Sequence, residues 1–192
     1  MTIFLILAPY GAFATLMLVA SAAVSLFAAA AICLLVIGHD AWRGRSIKML
    51  GAGSATLFAA LGCYLVLADP GLSSSTVKLT VDAGMLAISL MSLAIRRPFT
   101  LQYAREMVDA ETAQTPGFIR ANYIITSAWS GAFLLMVLAN VLMLYLPGLP
   151  LWSGLLVAFA ARNSAVYFTR WYPRYRRAKY GQIAAPALPA TR

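Results

Sequence analysis

The sequence predicts an all-α, polytopic transmembrane bundle of six helices, with a short amphipathic helix in the membrane interface. Three observations lead there. Only 11% of the 192 residues are charged, against roughly 25% in a soluble domain. Those charges are clustered, so the apolar runs between them reach the roughly 20 residues that cross a bilayer. The runs also lack the apolar–polar alternation of barrel strands. Helices are then the simplest way to satisfy every peptide group in hydrocarbon. Positions 1–180 read as one membrane domain.

The first apolar run, Ile3 to Ile37, would be about 52 Å long as a single helix, far beyond a hydrocarbon core of about 30 Å. It therefore divides into helices over Ile3–Val19 and Ala22–Trp42, with a tight turn near Ala20-Ser21, and Pro9-Tyr10-Gly11 is expected to break or kink the first. Ala20-Ser21-Ala22 resembles a signal-peptidase site, but no basic segment precedes it and the apolar run continues past it, so the run is read as retained. A basic connection, His39 to Lys48, leads to a third helix over Ile47–Ala68, which Asp69-Pro70-Gly71 stops. Ser73-Ser74-Ser75 supplies an N-cap for a fourth helix over Thr76–Ile95, which Arg96-Arg97-Pro98 ends.

Between Pro98 and Gly117 the chain is polar, yet Phe99, Tyr103, Met107 and Val108 recur at helical spacing. This predicts an amphipathic interfacial helix over Phe99–Ala110. The fifth and sixth spans follow at Ile119–Leu146 and Leu151–Trp171, separated by the turn Pro147-Gly148-Leu149-Pro150. The last segment, 181–192, is Ala/Pro-rich and expected to be disordered.

The net charge of +9 does not form a single patch of the kind that binds nucleic acid; it marks orientation instead. With six spans, one face carries Arg43, Arg45, Lys48, Arg96, Arg97, Arg105, Arg120, Arg170, Arg174, Arg176, Arg177, Lys179 and Arg192, while the other has only Lys78 near its edge. That face is cytoplasmic by the positive-inside rule. A five-span alternative merges the first two helices and keeps the same loops inside.

Ionisable and amide side chains within apolar helices each raise a functional hypothesis. Asp82 lies one to two turns inside the fourth helix, with Lys78 four residues earlier on the same face and within ion-pair reach. Asn140 and Arg162 lie inside the fifth and sixth helices. Lys78, Asp82, Asn140 and Arg162 are thus the candidate intramembrane polar site, and each also has an ordinary role open to it: ion pairing, helix bridging or snorkelling to the headgroups. Arg96, Arg97, Gln102 and Arg105 are candidate contacts to anionic lipid headgroups, with Asp40 nearby. Glu106, Asp109 and Glu111 read as a solvated face. Cys33 and Cys63 read as buried small hydrophobes, His39 is the lone histidine, and Ser127-x-x-x-Gly131 and Gly154-x-x-x-Ala158 allow close helix approach and self-association. Trp42, Trp129, Trp152 and Trp171 fall near expected interfaces. The pattern contains no catalytic constellation, metal-ligand set or phosphate loop, so no catalytic residue, metal or cofactor is expected.

The layout resembles the intracellular septation protein A family of bacterial inner-membrane proteins. The likeness lies in a short first helix with Pro9, the turn Trp42-Arg43-Gly44-Arg45, Asp69 closing the third helix, Lys78-Leu79-Thr80 where that family tends to Lys-Pro-Thr, Arg97-Pro98-Phe99, and the spacing of Trp129, Phe133 and Asn140. Thr100–Gln114 and the basic tail depart from it. The resemblance implies an inner-membrane protein of cell-envelope organisation or division, acting through helix and partner contacts, and carries over no catalytic residues. Two further readings stand beside it: a small transporter or channel built on the intramembrane polar residues, and a lipid-binding or lipid-modifying enzyme at the basic face.

Overall fold

The computed structural model describes residues 2–146, 148 and 151–180. The turn residues Pro147, Leu149 and Pro150 and the expected disordered segment 181–192, with Arg192, lie outside them. The helices are α1 (Thr2–Leu16), α2 (Ala22–Trp42), α3 (Met49–Leu67), α4 (Ser74–Ala94), α5 (Phe99–Ala104), α6 (Ala110–Gln114), α7 (Pro116–Tyr145) and α8 (Leu151–Tyr180). No strand occurs among the described residues. Among the described residues four helices, α2, α3, α4 and α7, are long and apolar enough to cross a membrane.

Large apolar side chains cover the outside of the bundle. Leu35 is 72% exposed and Leu67 82%, and Leu34, Leu135, Leu138 and Phe159 lie open beside them on their own helices. A soluble monomer rarely shows a continuous apolar patch of more than a few hundred Å². The outer face therefore fits a membrane protein.

Local chemistry accounts for the helix ends. Ser21 accepts from the Val24 N–H, Ser73 from the Thr76 N–H, and Thr115 from the Phe118 N–H with Pro116 directly after it. Each cap satisfies an amide at an open helix N-terminus. At the opposite ends, α2 and α4 stop in the same way. Gly44 (φ +68°) follows α2, and the Arg45 N–H reaches back to the Asp40 carbonyl; Arg96 (φ +58°) follows α4, and the Arg97 N–H reaches the Ser92 carbonyl. Both are left-handed terminations, natural for glycine and strained for an arginine.

Neighbouring helices pack in sequence: α1 on α2, α2 on α3, α4 on α7 and α7 on α8, with a narrower α3–α4 contact joining the two groups. At that contact Gly84 lies directly against the Leu57 side chain, where a Cβ would collide. The core runs from Phe13 and Phe58 through Leu26, Val77 and Val81 to Trp129, Phe133 and Met136.

Three expectations are corrected. Of the break or kink expected at Pro9, the break does not occur: α1 runs on to Leu16 with Pro9 inside it. The helix expected over Phe99–Ala110 is not continuous. α5 passes into a 3-10 turn at Arg105–Met107, Val108 is extended, and Asp109 caps α6 by accepting from the Thr112 N–H at 2.7 Å. Nor is the apolar face of α5 turned outward: Phe99 and Leu101 are buried, and Thr100 bonds the Asn122 carbonyl and the Thr126 hydroxyl of α7. Finally, α8 continues nine residues beyond Trp171, straight through Pro173. Its basic extension is held by Arg176, which donates to the Gly117 carbonyl, and by Tyr172 stacked on Phe168. Those contacts offset an interior proline that costs about 3 kcal/mol.

The strain at Arg96 is testable. Arg96→Gly should stabilise the protein by about 0.5–1 kcal/mol, whereas Gly44→Ala should destabilise it by about 1 kcal/mol. Thermal unfolding in detergent measures both; a lower midpoint for Arg96→Gly would show that the arginine sits there without strain.

Candidate functional site

A polar cluster lies in the middle of the bundle, around Asp82 of α4, which is 4% exposed. Isolated among Val77, Val81 and Met85, an ionised carboxylate would be very costly. Two other helices supply donors to it. The Tyr10 hydroxyl of α1 donates to Oδ1, and the Asn140 Nδ2 of α7 donates to Oδ2 at 2.6 Å. Asn140 also donates to the Met136 carbonyl of its own helix. Arg162 of α8 then places its guanidinium over the Tyr10 ring, 4.3 Å from the centroid. One tyrosine thus links a buried acid at its hydroxyl to a cation on its face.

Three of the four expected intramembrane residues therefore converge: Asp82, Asn140 and Arg162. The expected pairing with Lys78 is corrected. Among the described residues no ion pair joins Lys78 to Asp82, whose carboxylate oxygens are taken by Tyr10 and Asn140. Four residues on a helix bring two side chains to one face but do not bring their charged ends together when better-placed donors reach in from other helices.

A cavity of about 640 Å³ extends from this cluster between α4, α5, α7 and α8 to the helix ends that carry most of the basic residues. Phe99, Ile125, Trp129, Phe133 and Met136 form its apolar wall, and the Trp129 indole is fixed by its bond to Thr169 at 3.0 Å. Among the described residues its charged lining consists of Arg162, Arg170, Arg176 and Arg177, all from α8, with no aspartate or glutamate. Along α8, Arg162 lies about 12 Å from Arg170 and about 22 Å from Arg177. Volume and lining fall within the range of small-molecule sites, roughly 300–1,000 Å³ with few polar groups.

A second cavity, about 540 Å³, lies across the wall formed by Tyr10, Leu50, Met85 and Tyr103, which line both. Its mouth holds an ion cluster. Lys48, 5% exposed, sits 2.6 Å from Asp40 and 3.0 Å from Glu106, and Arg45 lies 3.6 Å from Asp40. Lys48 also lies over the Tyr103 ring. Burial, reinforced by the negative charge of Asp40 and Glu106, pushes the Tyr103 hydroxyl well above its usual range, so it stays neutral.

The candidate headgroup contacts separate. Arg96, Arg97 and Arg105 are exposed at the basic end. Gln102 is instead structural: its Oε1 accepts from the Met49 N–H at 2.7 Å, capping α3 from another helix. Glu106, exposed as a residue like Asp109 and Glu111, turns its carboxylate to Lys48 at 3.0 Å, with its side chain 22% exposed. Sequence reasoning missed Tyr10, Lys48 and the cavity-facing side of the α8 extension. Tyr10 gave no signal beyond its place beside Pro9, while the Arg162, Thr169, Pro173 and Arg176 spacing does mark one face of a long helix. Among the described residues no group of acidic, histidine or cysteine side chains could hold a metal ion.

The fold and site define a helical bundle of membrane-protein character with a buried acid, an arginine-lined apolar cavity and a mixed-charge cavity beside it. Comparison with protein-family models, with curated proteins and with solved structures found no match.

Two stability effects follow from these contacts. Lys48→Met should cost about 1–3 kcal/mol, because it removes the buried cation between Asp40 and Glu106 and leaves them only the more distant Arg45, and adding Asp40→Asn and Glu106→Gln should recover most of it. Asn140→Leu should cost about 1–3 kcal/mol, because one Asp82 oxygen then has no donor. Denaturation of each variant in detergent measures these; a Lys48→Met protein as stable as wild type would mean the cluster contributes nothing.

Proposed function

We propose that the protein is a membrane-embedded carrier for small anionic amphiphiles, molecules with one carboxylate or phosphate and an apolar chain. The observation that carries this reading is the lining of the larger cavity. Its walls are apolar or uncharged, and all four of its charged groups are arginines of one helix, stepping from the basic end to the middle of the bundle. Guanidinium groups hold carboxylate and phosphate by paired hydrogen bonds, while Phe99, Trp129 and Phe133 suit the chain. Arg170 and Arg177 receive the anion near the surface, and Arg162 offers it a second station inside.

We read six spans, α1 and α8 joining the four helices that meet the length and hydropathy needed to cross. Support comes from their packing on α2 and α7 and from arginines gathered at one end, which positive-inside orientation makes cytoplasmic. This agrees with the bacterial inner membrane that the septation-family resemblance implies. A purely scaffolding role in envelope organisation would leave the cavity and its arginines without a purpose.

Binding tests the reading. In nanodiscs of neutral lipid, the full chain should bind oleate and oleoyl lysophosphatidate at least tenfold more tightly than oleoyl lysophosphatidylcholine. Arg170→Gln with Arg177→Gln should erase most of that preference. Preference for oleate alone would assign the carboxylate as the ligand group, and for lysophosphatidate alone the phosphate. Equal affinity for the three would sink the proposal.

A further inference from the structure

The end of the cavity at Arg162 raises a problem of charge that the carrier reading leaves open. With no anion present, Arg162 and Asp82 offset one another across Tyr10: the guanidinium lies on the ring and the carboxylate on the hydroxyl of the same side chain. Arg162 has no ion-pair partner among the described residues, so it is the cation an incoming anion would meet. Once that anion is bound, two negative groups would share one arginine inside the bundle. Unbalanced charge in such surroundings is strongly disfavoured.

The surroundings of Asp82 leave few ways to restore the balance. α1 presents Tyr10, which is uncharged, and α7 presents the Asn140 amide. α8 presents Arg162, already engaged by the anion. α3 has no charged residue over Met49–Leu67, with Cys63 and Tyr64 both exposed, and Tyr103 of α5 lies at the basic end beside Lys48. Lys78, on α4 itself, is half-buried one turn away and makes no ion pair with Asp82. The remaining route is a proton on Asp82. As an acid, Asp82 still accepts from one donor and keeps its place between Tyr10 and Asn140.

We propose that binding of an anionic group at Arg162 is coupled to the uptake of one proton by Asp82, so that the protein carries an anion and a proton together. This rests on the carrier reading above. The proton comes from solvent and is returned when the anion leaves, so no other reactant is needed. Tyr10 is the positioning residue: its hydroxyl donates to Asp82 while its ring lies under the Arg162 guanidinium.

The test uses hexadecanesulfonate, whose charge is the same at every working pH, with the full chain in nanodiscs of neutral lipid. Calorimetry at pH 8 in buffers of different ionisation enthalpy counts the protons absorbed per ligand bound. One proton is expected, with affinity falling about tenfold per pH unit where Asp82 is ionised in the free protein. Asp82→Asn should bind the sulfonate with no proton uptake and no pH dependence, and Arg162→Gln should lose at least tenfold in affinity. The wild-type proton count needs no variant, so a misfolded Asp82→Asn protein leaves the result readable. Binding without proton uptake by wild type overturns the coupling alone, as does uptake retained by a folded Asp82→Asn. No binding of sulfonate, oleate or lysophosphatidate removes the carrier reading and the coupling with it.

Discussion

The bundle is organised around the need to satisfy one buried carboxylate. Asp82 lies among apolar side chains of α4, and the donors that make it tolerable come from α1 and α7, 72 and 58 residues away in sequence. Tyr10 cannot reach Asp82 unless the short α1 lies against the second group of helices, and Asn140 cannot unless α4 and α7 are in register. Arg162 adds α8 through the Tyr10 ring. Four helices are thereby fixed relative to one another at a single point, and the apolar packing of Phe13, Phe58, Phe133 and Met136 closes around it.

At the basic end the same role falls to the segment between α4 and α7. It turns inward rather than lying flat, because its polar groups find partners there that solvent or headgroups would otherwise supply. Ser92 accepts from the Phe99 N–H, Thr100 bonds α7, Gln102 caps α3, and Glu106 meets Lys48. Each contact ties the segment to a different helix. Together they turn what would be a loose connection into the floor of both cavities, with Tyr103 in the wall between them.

The chemistry of the two cavities differs in a way that follows from this arrangement. Asp40 of the last turn of α2, Arg45 and Lys48 of the connection after it, and Glu106 of the turn after α5 meet in the smaller cavity and neutralise one another at close range. The larger cavity faces α8, which has arginines but no acid over Leu151–Tyr180, so no acid of that helix offsets their charge. Tyr10 belongs to both walls and to the Asp82 cluster, so one side chain joins the two cavities to the buried acid.

Much of this was legible in the sequence. Sparse, clustered charge and long apolar runs require helices whatever their neighbours are, since each helix satisfies its own backbone. Ser73 marks a helix start because a cap acts within three residues. Asp82, Asn140 and Arg162 stood out because polar groups in apolar runs are costly wherever they end up. The tertiary structure alone decided their partners. Lys78 is near Asp82 along the chain, yet Tyr10 and Asn140 reach the carboxylate, and Gln102 and Glu106 turned from surface groups into a cap and an ion-pair member. The physical reason is range: backbone hydrogen bonds and caps are settled over three or four residues, whereas a buried charge is satisfied by whichever donor the packed helices bring within 3 Å, and no local pattern records which helix that is.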